Sequence, residues 1–342
     1  MEKTIEWVKG ENVSRMLDQT LLPYEYKKIN ITSTSMMYDA IKTMIVRGAP
    51  AIGIAGAHGV NLKALELKNS KVDYATFKAE LLEGCDYLAS SRPTAVNLMW
   101  AIDRQREIIK KETSVDGTVE ALIENSIKLE DEDIEINKKI GYYGAEIVPL
   151  GATILTHCNA GALATVGWGT ALGVVRSAFE KDKTIKVFAD ETRPRGQGAR
   201  ITTYELVRDG IDTTLLTDGM CAYFMSKGMI DVVITGADRI AANGDSANKI
   251  GTCTLAIVAK HYNVPFYIAA PKSTIDMSIK SGAEIPIELR SEEEVTIVNG
   301  KRICAEGVKV INPSFDVTPN ELITGIITEC GVIAPDNLKS IF

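Results

Sequence analysis

From about residue 150 the chain alternates short apolar runs with helix-like stretches, and this alternation limits its possible folds more than any other feature. ATILTH (152–157), IKVFAD (185–190), TTLLTD (213–218), DVVITGAD (231–238) and PFYIAAP (265–271) are strand-sized. Between them, residues 167–181, 198–208, 219–228 and 248–261 carry helical spacing. Strands joined by helical crossovers pair in parallel, so the pattern predicts a doubly wound α/β sheet. Open parallel sheets bind ligands at the carboxyl ends of their strands. The residues just past those ends are Cys158, Asp190 with the loop to Gln197, Asp218, and Asp238. Each follows a different strand, so one sheet edge gathers all of them.

The first half reads differently. TIEWV (4–8), MLDQTLLP (16–23) and YKKINIT (26–32) look like short strands separated by polar turns. Helical spacing follows over 35–46, 73–90 and 95–111, and RGAPAIG (47–53) opens another helix with Pro50 in its first turn. The 342 residues suit two domains. We place an N-terminal α+β domain at 1–125 and a catalytic domain at 126–342, with a linking helix over about 117–148.

Composition excludes some classes. The net charge is -7, with 38 basic against 45 acidic residues and no basic block, which argues against nucleic acid as a partner. The apolar runs are too short to span a membrane. Six scattered cysteines form no C-x-x-C pair, and the polar start MEKTIEWVKGENVS has no apolar core. Both predict reduced thiols in the cytoplasm.

The chemistry-bearing stretches stay ambiguous one by one. LTHCNAGALATVGWGTALGVV (155–175) holds four glycines beside His157 and Cys158, yet matches no nucleotide fingerprint. A tight strand-to-helix turn explains the glycines equally well. The three histidines, His58, His157 and His261, lie in no tetrahedral metal spacing. If Cys158 faces the strand-end crevice, His157 points to the opposite face. DETRPRGQGAR (190–200) is an anion-friendly loop or a basic turn pairing with Asp190 and Glu191. In GADRIAANGDSANKIG (236–251), Asp238 follows a strand, and Asn248 and Lys249 are expected to open the next helix, where free N–H groups favour an anion. Arg47 and Arg92 each precede a Pro-started helix, a second setting for a phosphate. Together these residues point to one phosphate held from both halves.

RGAPAIG, SSRPTAVNL, THCNAGALAT, ADETRPRGQGAR, GADRIAANGDSANKIGT, PFYIAAPKSTID and IPIELR, in this order, resemble the methylthioribose-1-phosphate isomerases. Relatives of that family are the regulatory subunits of translation factor 2B and the ribose-1,5-bisphosphate isomerases. The resemblance runs from about residue 5 to residue 340. It implies a Rossmann-like catalytic domain, a homodimer, and isomerisation of an aldose 1-phosphate to a ketose 1-phosphate in methionine salvage. The family's catalytic pair falls on Cys158 and Asp238. Its phosphate ligands fall on Arg47, Gly48, the Ala49 backbone N–H, Arg92, Gln197, Asn248 and Lys249. Gly196, His58 and Gly219 depart from the family pattern and leave the sugar's 5-substituent open among methylthio, deoxy and phosphate. A regulatory subunit or a sugar-phosphate sensor is the non-enzymatic alternative.

The reaction suits these residue types. A glycosyl phosphate cannot open its ring by mutarotation, so an acid must protonate the ring oxygen while C1–O4 breaks. A hydrogen then moves from C2 to C1. Free Cys and Asp titrate near about 8.5 and about 3.9, and apolar burial raises both. Asp238 is expected to handle the oxygen protons and Cys158 the carbon-bound one, with a direct hydride shift as the rival. Neither route needs a metal or a nucleotide.

Overall fold

The computed structural model describes residues 2–342. The chain divides into two compact units, Met1–Asn137 with Gly161–Gly169, and Lys138–Ala160 with Thr170–Phe342. The glycine-rich run is therefore shared: after Ala160 the chain contributes nine residues to the first unit, then returns to the second at Thr170.

The first unit opens with an antiparallel sheet of β1 (Ile5–Val8), β2 (Val13–Leu17) and β3 (Lys28–Ile31). The second strand lies earlier than the expected 16–23. Asp18 ends it, because its carboxylate turns back to accept the Thr20 backbone N–H and hydroxyl. Five helices follow: α1 (Thr34–Lys42), α2 (Ala49–Ser70), α3 (Tyr74–Ala89), α4 (Val96–Lys111) and α5 (Val115–Ala145). Ser33 and Asp73 cap α1 and α3 by accepting the N–H groups of Met36 and Thr76. α2 is buried along most of its length and forms the spine of this core.

Glycines set how closely α4 approaches α2. A Cβ on Gly53 would lie 2.8 Å from the Asn97 carbonyl oxygen, and one on Gly56 would lie 2.5 Å from Leu98. Further along, the Gln105 side chain reaches the Ala57 carbonyl. The contacts advance in the same sense on both helices, so α2 and α4 run parallel. Arg47 and Arg92, which precede them, stand at the same end of the pair. Hydrogen bonds fasten the segment 161–169 to this unit, one of them from the Thr4 hydroxyl to Ala162 O. Thr4 N–H donates to Val166 O, the Gln19 side chain donates to Leu163 O, and Val166 N–H donates to Asp133 Oδ2 at 2.7 Å. Burial pushes the Asp133 carboxyl up to about 7.

The second unit alternates as the sequence predicts: β4 (Thr153–Thr156), α6 (Ala171–Lys181), β5 (Lys186–Asp190), α7 (Thr203–Arg208), β6 (Asp212–Leu216), α8 (Cys221–Ser226) and β7 (Val232–Thr235). Next come β8 (Arg239–Ala241), β9 (Ser246–Lys249), α9 (Thr252–His261), β10 (Phe266–Ala269) and β11 (Ile275–Asp276). The chain ends with β12 (Ile297–Val298), β13 (Lys301–Arg302), β14 (Phe315–Thr318), β15 (Gly325–Thr328) and β16 (Gly331–Ile333).

The main sheet has the order β16-β15-β10-β7-β4-β5-β6, parallel throughout except for β16. From β4 the chain builds outward to β5 and β6, then crosses to β7 on the other side of β4. The winding reverses between β4 and β7, which is where doubly wound sheets open a crevice. A smaller sheet, β11-β8-β9-β14, grows from the long connection after β7. Its strands, and β15 with β16, were not expected from the sequence. No helix among the described residues is long and apolar enough to cross a membrane.

Replacing Gly53 by Ala is expected to destabilise the chain by about 1–3 kcal/mol, since the neighbouring atom is backbone and cannot rotate away. Gly10→Ala, at a position with nothing within 4 Å, is the control. Urea unfolding checks both; equal midpoints would overturn the close-approach argument.

Candidate active site

Four strand ends of the second unit lie in the order β7, β4, β5, β6, so Asp238, Cys158, Thr192 and Asp218 follow one another along the carboxyl edge. Adjacent strands are about 4.8 Å apart, so Cys158 and Asp238 belong to neighbouring strand ends flanking the winding reversal. Their turns touch. A Cβ on Gly236, two residues before Asp238, would sit 2.6 Å from the Ala160 Cβ, two residues after Cys158. Asp238 then begins the return to the small sheet, donating its N–H to Ala247 O.

Cys158 has φ +63°, the left-handed region that non-glycine residues avoid. Thr192, past the end of β5, also has φ +63°. Each such residue costs about 1–3 kcal/mol and persists only where its surroundings hold it. Here they hold each other. Cys158 N–H donates to Thr192 Oγ1 at 2.8 Å, and that hydroxyl donates to Asp190 O at 3.0 Å. The Asp218 carboxylate accepts the Thr192 and Arg193 N–H groups at 2.7 and 2.8 Å. On the other side, Thr202 Oγ1 donates to Cys158 O at 2.6 Å. Thr202 closes a π-helical turn, Gly198–Thr202, which packs so tightly on β5 that a Cβ at Gly198 would fall 1.7 Å from Asp190 O.

His157 is fully buried. Its Nδ1 faces Asp190 Oδ2 at 3.1 Å and its Nε2 faces the Ile250 carbonyl at 2.9 Å. Both ring nitrogens meet acceptors, so the pair shares two protons: one on Nε2, one between Nδ1 and Asp190. Burial opposes charge on the ring, but Asp190, Asp218 and the Ile250 carbonyl together raise the histidine above its usual range. Burial is also the main influence lifting the Asp190 carboxyl. His157, Asp190 and Asp218 bring ligand-type atoms within 4.8 Å of one another. Of the three, only His157 and Asp190 are in hydrogen-bond contact, while the Asp218 oxygens take the two backbone donors of Thr192 and Arg193. The histidine also fixes the β9–α9 turn, since a Cβ at Gly251 would press against its ring at 2.9 Å. His157 thus ties the turn carrying Asn248 and Lys249 to the strand end carrying Cys158.

The predicted phosphate residues are placed as follows. Asn248 and Lys249 end β9 instead of opening a helix, which starts at Thr252 after Gly251 at φ +104°. They pair in register with Asp316 and Phe315 of β14. The N–H groups expected to be free at that helix start are occupied, because Asp316 accepts from Gly251 and Cys253. Asn248 donates to Thr252 Oγ1, and Lys249 donates to Ser314 O with its ammonium 4.6 Å from the Phe315 ring. Gln197 is buried, and its Oε1 has no hydrogen-bond partner among the described residues. Arg193 and Arg195 do not pair with Asp190 and Glu191. Arg193 donates to Pro194 O and Val295 O, and Arg195 pairs with Glu294.

In the first unit, Arg47 is buried and its Nε donates to Gln19. Gly48 caps α2 at φ +90°, with Ala164 where a Cβ would stand, so only glycine fits. Ala49 is the first helical residue, one whose N–H the helix leaves unused. Arg92 precedes a turn closed by Ala95 N–H on Arg92 O; the helix begins at Val96, so Pro93 lies in that turn instead of starting the helix. Sequence reasoning missed Thr192, Thr202 and the hub role of His157. Only the His–Cys adjacency hinted at the last.

Residues 45–335 match the Initiation factor 2 subunit family. The chain belongs to that family. It is 52% identical over 342 residues to a methylthioribose-1-phosphate isomerase from Acetivibrio thermocellus, covering 98% of this chain and 99% of the relative. The crystal structure of 5-methylthioribose 1-phosphate isomerase from Pyrococcus horikoshii is 43% identical, with TM-score 0.90, covering 100% of this chain and 95% of that one. A structure described as the translation initiation factor eIF-2B subunit delta from A. fulgidus is 47% identical, with TM-score 0.87, covering 100% and 99%.

A histidine raised on folding stabilises while protonated. That contribution is complete below its unfolded value of about 6.5 and is lost as pH rises through the higher folded value. The urea midpoint is therefore expected to fall on going from neutral to alkaline pH, and the slope to flatten in His157→Gln. Parallel pH profiles for the two proteins would contradict the shared-proton assignment.

Proposed function

We propose that this chain isomerises 5-methylthioribose 1-phosphate to 5-methylthioribulose 1-phosphate in methionine salvage. The observation that carries the reading is end-to-end likeness, 52% identity over 342 residues, to a protein named as that isomerase. Cys158 and Asp238 are the proposed catalytic pair, supported by their places on the two strands flanking the winding reversal. Arg47, Gly48, Ala49, Arg92, Gln197, Asn248 and Lys249 are the proposed substrate ligands. Their support is a set of cationic, amide and backbone donors suited to a phosphate.

Asp238, protonated, gives its proton to the ring oxygen as C1–O4 breaks. The Cys158 thiolate takes the proton from C2, and the C–H electron pair forms the C1–C2 double bond of an enol that still carries its phosphate. Asp238, now a carboxylate, takes the C2 hydroxyl proton, and the thiol returns its own to C1. Each group ends as it began, and the substrate has lost and gained nothing. A homodimer acting in the cytoplasm belongs to the same proposal by family resemblance; light scattering checks the first part.

Cys158→Ser and Asp238→Asn are each expected to lower kcat about 10²–10⁴-fold in a folded protein. Full activity in either would remove that residue from the chemistry. Arg92→Ala is expected to raise KM at least about tenfold through loss of a charge-assisted contact, and an unchanged KM would take Arg92 out of the phosphate site. In deuterated water, label at C1 of the ketose would exclude a pure hydride shift.

The likeness to a structure described as a translation factor subunit favours a second reading, a regulatory subunit without turnover. Incubating the purified chain with methylthioribose 1-phosphate, and with the 5-deoxy and 5-phospho sugars, decides between them. Ketose formation supports the isomerase and ranks the tails; none from any sugar supports the subunit.

A further inference from the structure

We propose that Thr192 and Thr202 are positioning residues that hold the Cys158 peptide in its left-handed backbone and so aim the thiol. The inference rests on the reading of Cys158 as a proton-transfer group.

The argument begins with the two polar groups of the Cys158 residue itself. Its N–H goes to Thr192 Oγ1 at 2.8 Å, and its carbonyl accepts from Thr202 Oγ1 at 2.6 Å. Neither is a sheet bond, because β4 has ended at Thr156. Both hydroxyls are fully buried and fully directed. Thr192 accepts from Cys158 and donates to Asp190 O, while Thr202 accepts from Asn159 Nδ2 and donates to Cys158 O. A hydroxyl has one proton to give, so each direction is fixed and the two chains of bonds cannot reverse.

The threonines are themselves anchored by features a simple turn does not need. Thr192 is left-handed, which is an outlier for a β-branched residue, and Asp218 pins its N–H and that of Arg193. Thr202 is delivered by a π-helical turn, a form that gathers at functional sites. Asn159 is held in turn by Glu205, which pairs with the buried Arg176. Rotating the Cys158 backbone out of the left-handed region would break both clamps and swing the Cα–Cβ bond. In a proton transfer, a misplacement of that kind is read in turnover before it is read in binding.

The test uses the full chain and methylthioribose 1-phosphate, with Thr192→Val, Thr202→Val and the Ser variants of both. Valine keeps the shape and removes the hydroxyl; serine keeps the hydroxyl. Folding is checked by circular dichroism and thermal midpoint. In the folded Val variants kcat is expected to fall on the order of a hundredfold, with KM within about threefold of the parent. Serine is expected to restore kcat to within about threefold. Iodoacetamide labelling of the Cys158 peptide, followed by mass spectrometry, should change in rate with valine and recover with serine. Folded Val variants with parental kcat, or Ser variants as poor as Val, overturn the proposal. If Thr192→Val does not fold, Thr202→Val decides by the same criteria. Cys158→Ser is the separating control. If it retains full turnover, the reading of Cys158 has failed. If it is inactive while the Val variants are unimpaired, only the positioning role has failed.

Discussion

The second unit depends on the parallel pairing of β4 with β5 on one side and β7 on the other. Because β4 is the strand from which the winding leaves in both directions, the loops that follow it and its neighbours emerge at one edge. Register does the rest. Ile154 and Leu155 sit opposite Val187 and Phe188, and opposite Val232 and Val233. The three strand ends therefore finish level, and Cys158, Thr192 and Asp238 begin their turns at nearly the same height. A one-residue slip in either pairing would turn every side chain of a strand to the other face of the sheet.

On that frame, the site spends strain at few positions. Left-handed residues and missing Cβ atoms cluster where turns meet. Gly236 lies against Ala160, Gly198 against Asp190 O, and Gly251 against the His157 ring. Each glycine permits an approach that any larger residue would block. The result is a set of turns with little room to rearrange, joined by hydrogen bonds around a buried histidine, His157, that shares its protons with Asp190 and the Ile250 carbonyl. Such rigidity agrees with a reaction that moves protons between fixed atoms, where donors arranged in advance matter more than flexibility.

Much of this was legible in the sequence, for a physical reason. Parallel buried strands must be apolar on both faces, so β4, β5, β7 and β10 announce themselves as short apolar runs, while β6, exposed at the sheet edge, shows only its Leu–Leu pair. Strands β8, β9, β11 and β14 do not, because SANK and FDVT are polar runs whose strand state comes from pairing with each other. That is also why Asn248 and Lys249 were read into a helix. The acids after the strands were predictable from fold logic, and Cys158 with Asp238 from motif order. Thr192 and Thr202 were invisible, since a threonine earns its role only through the atoms it meets in space. The partners of Arg193 and Arg195 were likewise hidden, lying about a hundred residues away in the chain.

The exchange of the segment 161–169 has a consequence for how the chain is made. A ribosome that has released residues 1–137 has made the sheet and the α-helical turns of the first unit but not the nine residues that finish it. Those arrive only after β4 has been synthesised. The Thr4 amide, the Gln19 side chain and the Asp133 carboxylate must wait for partners more than thirty residues further on. Closure of the first unit is thereby coupled in time to the birth of the second. No single cut of the gene separates the two into independently complete pieces.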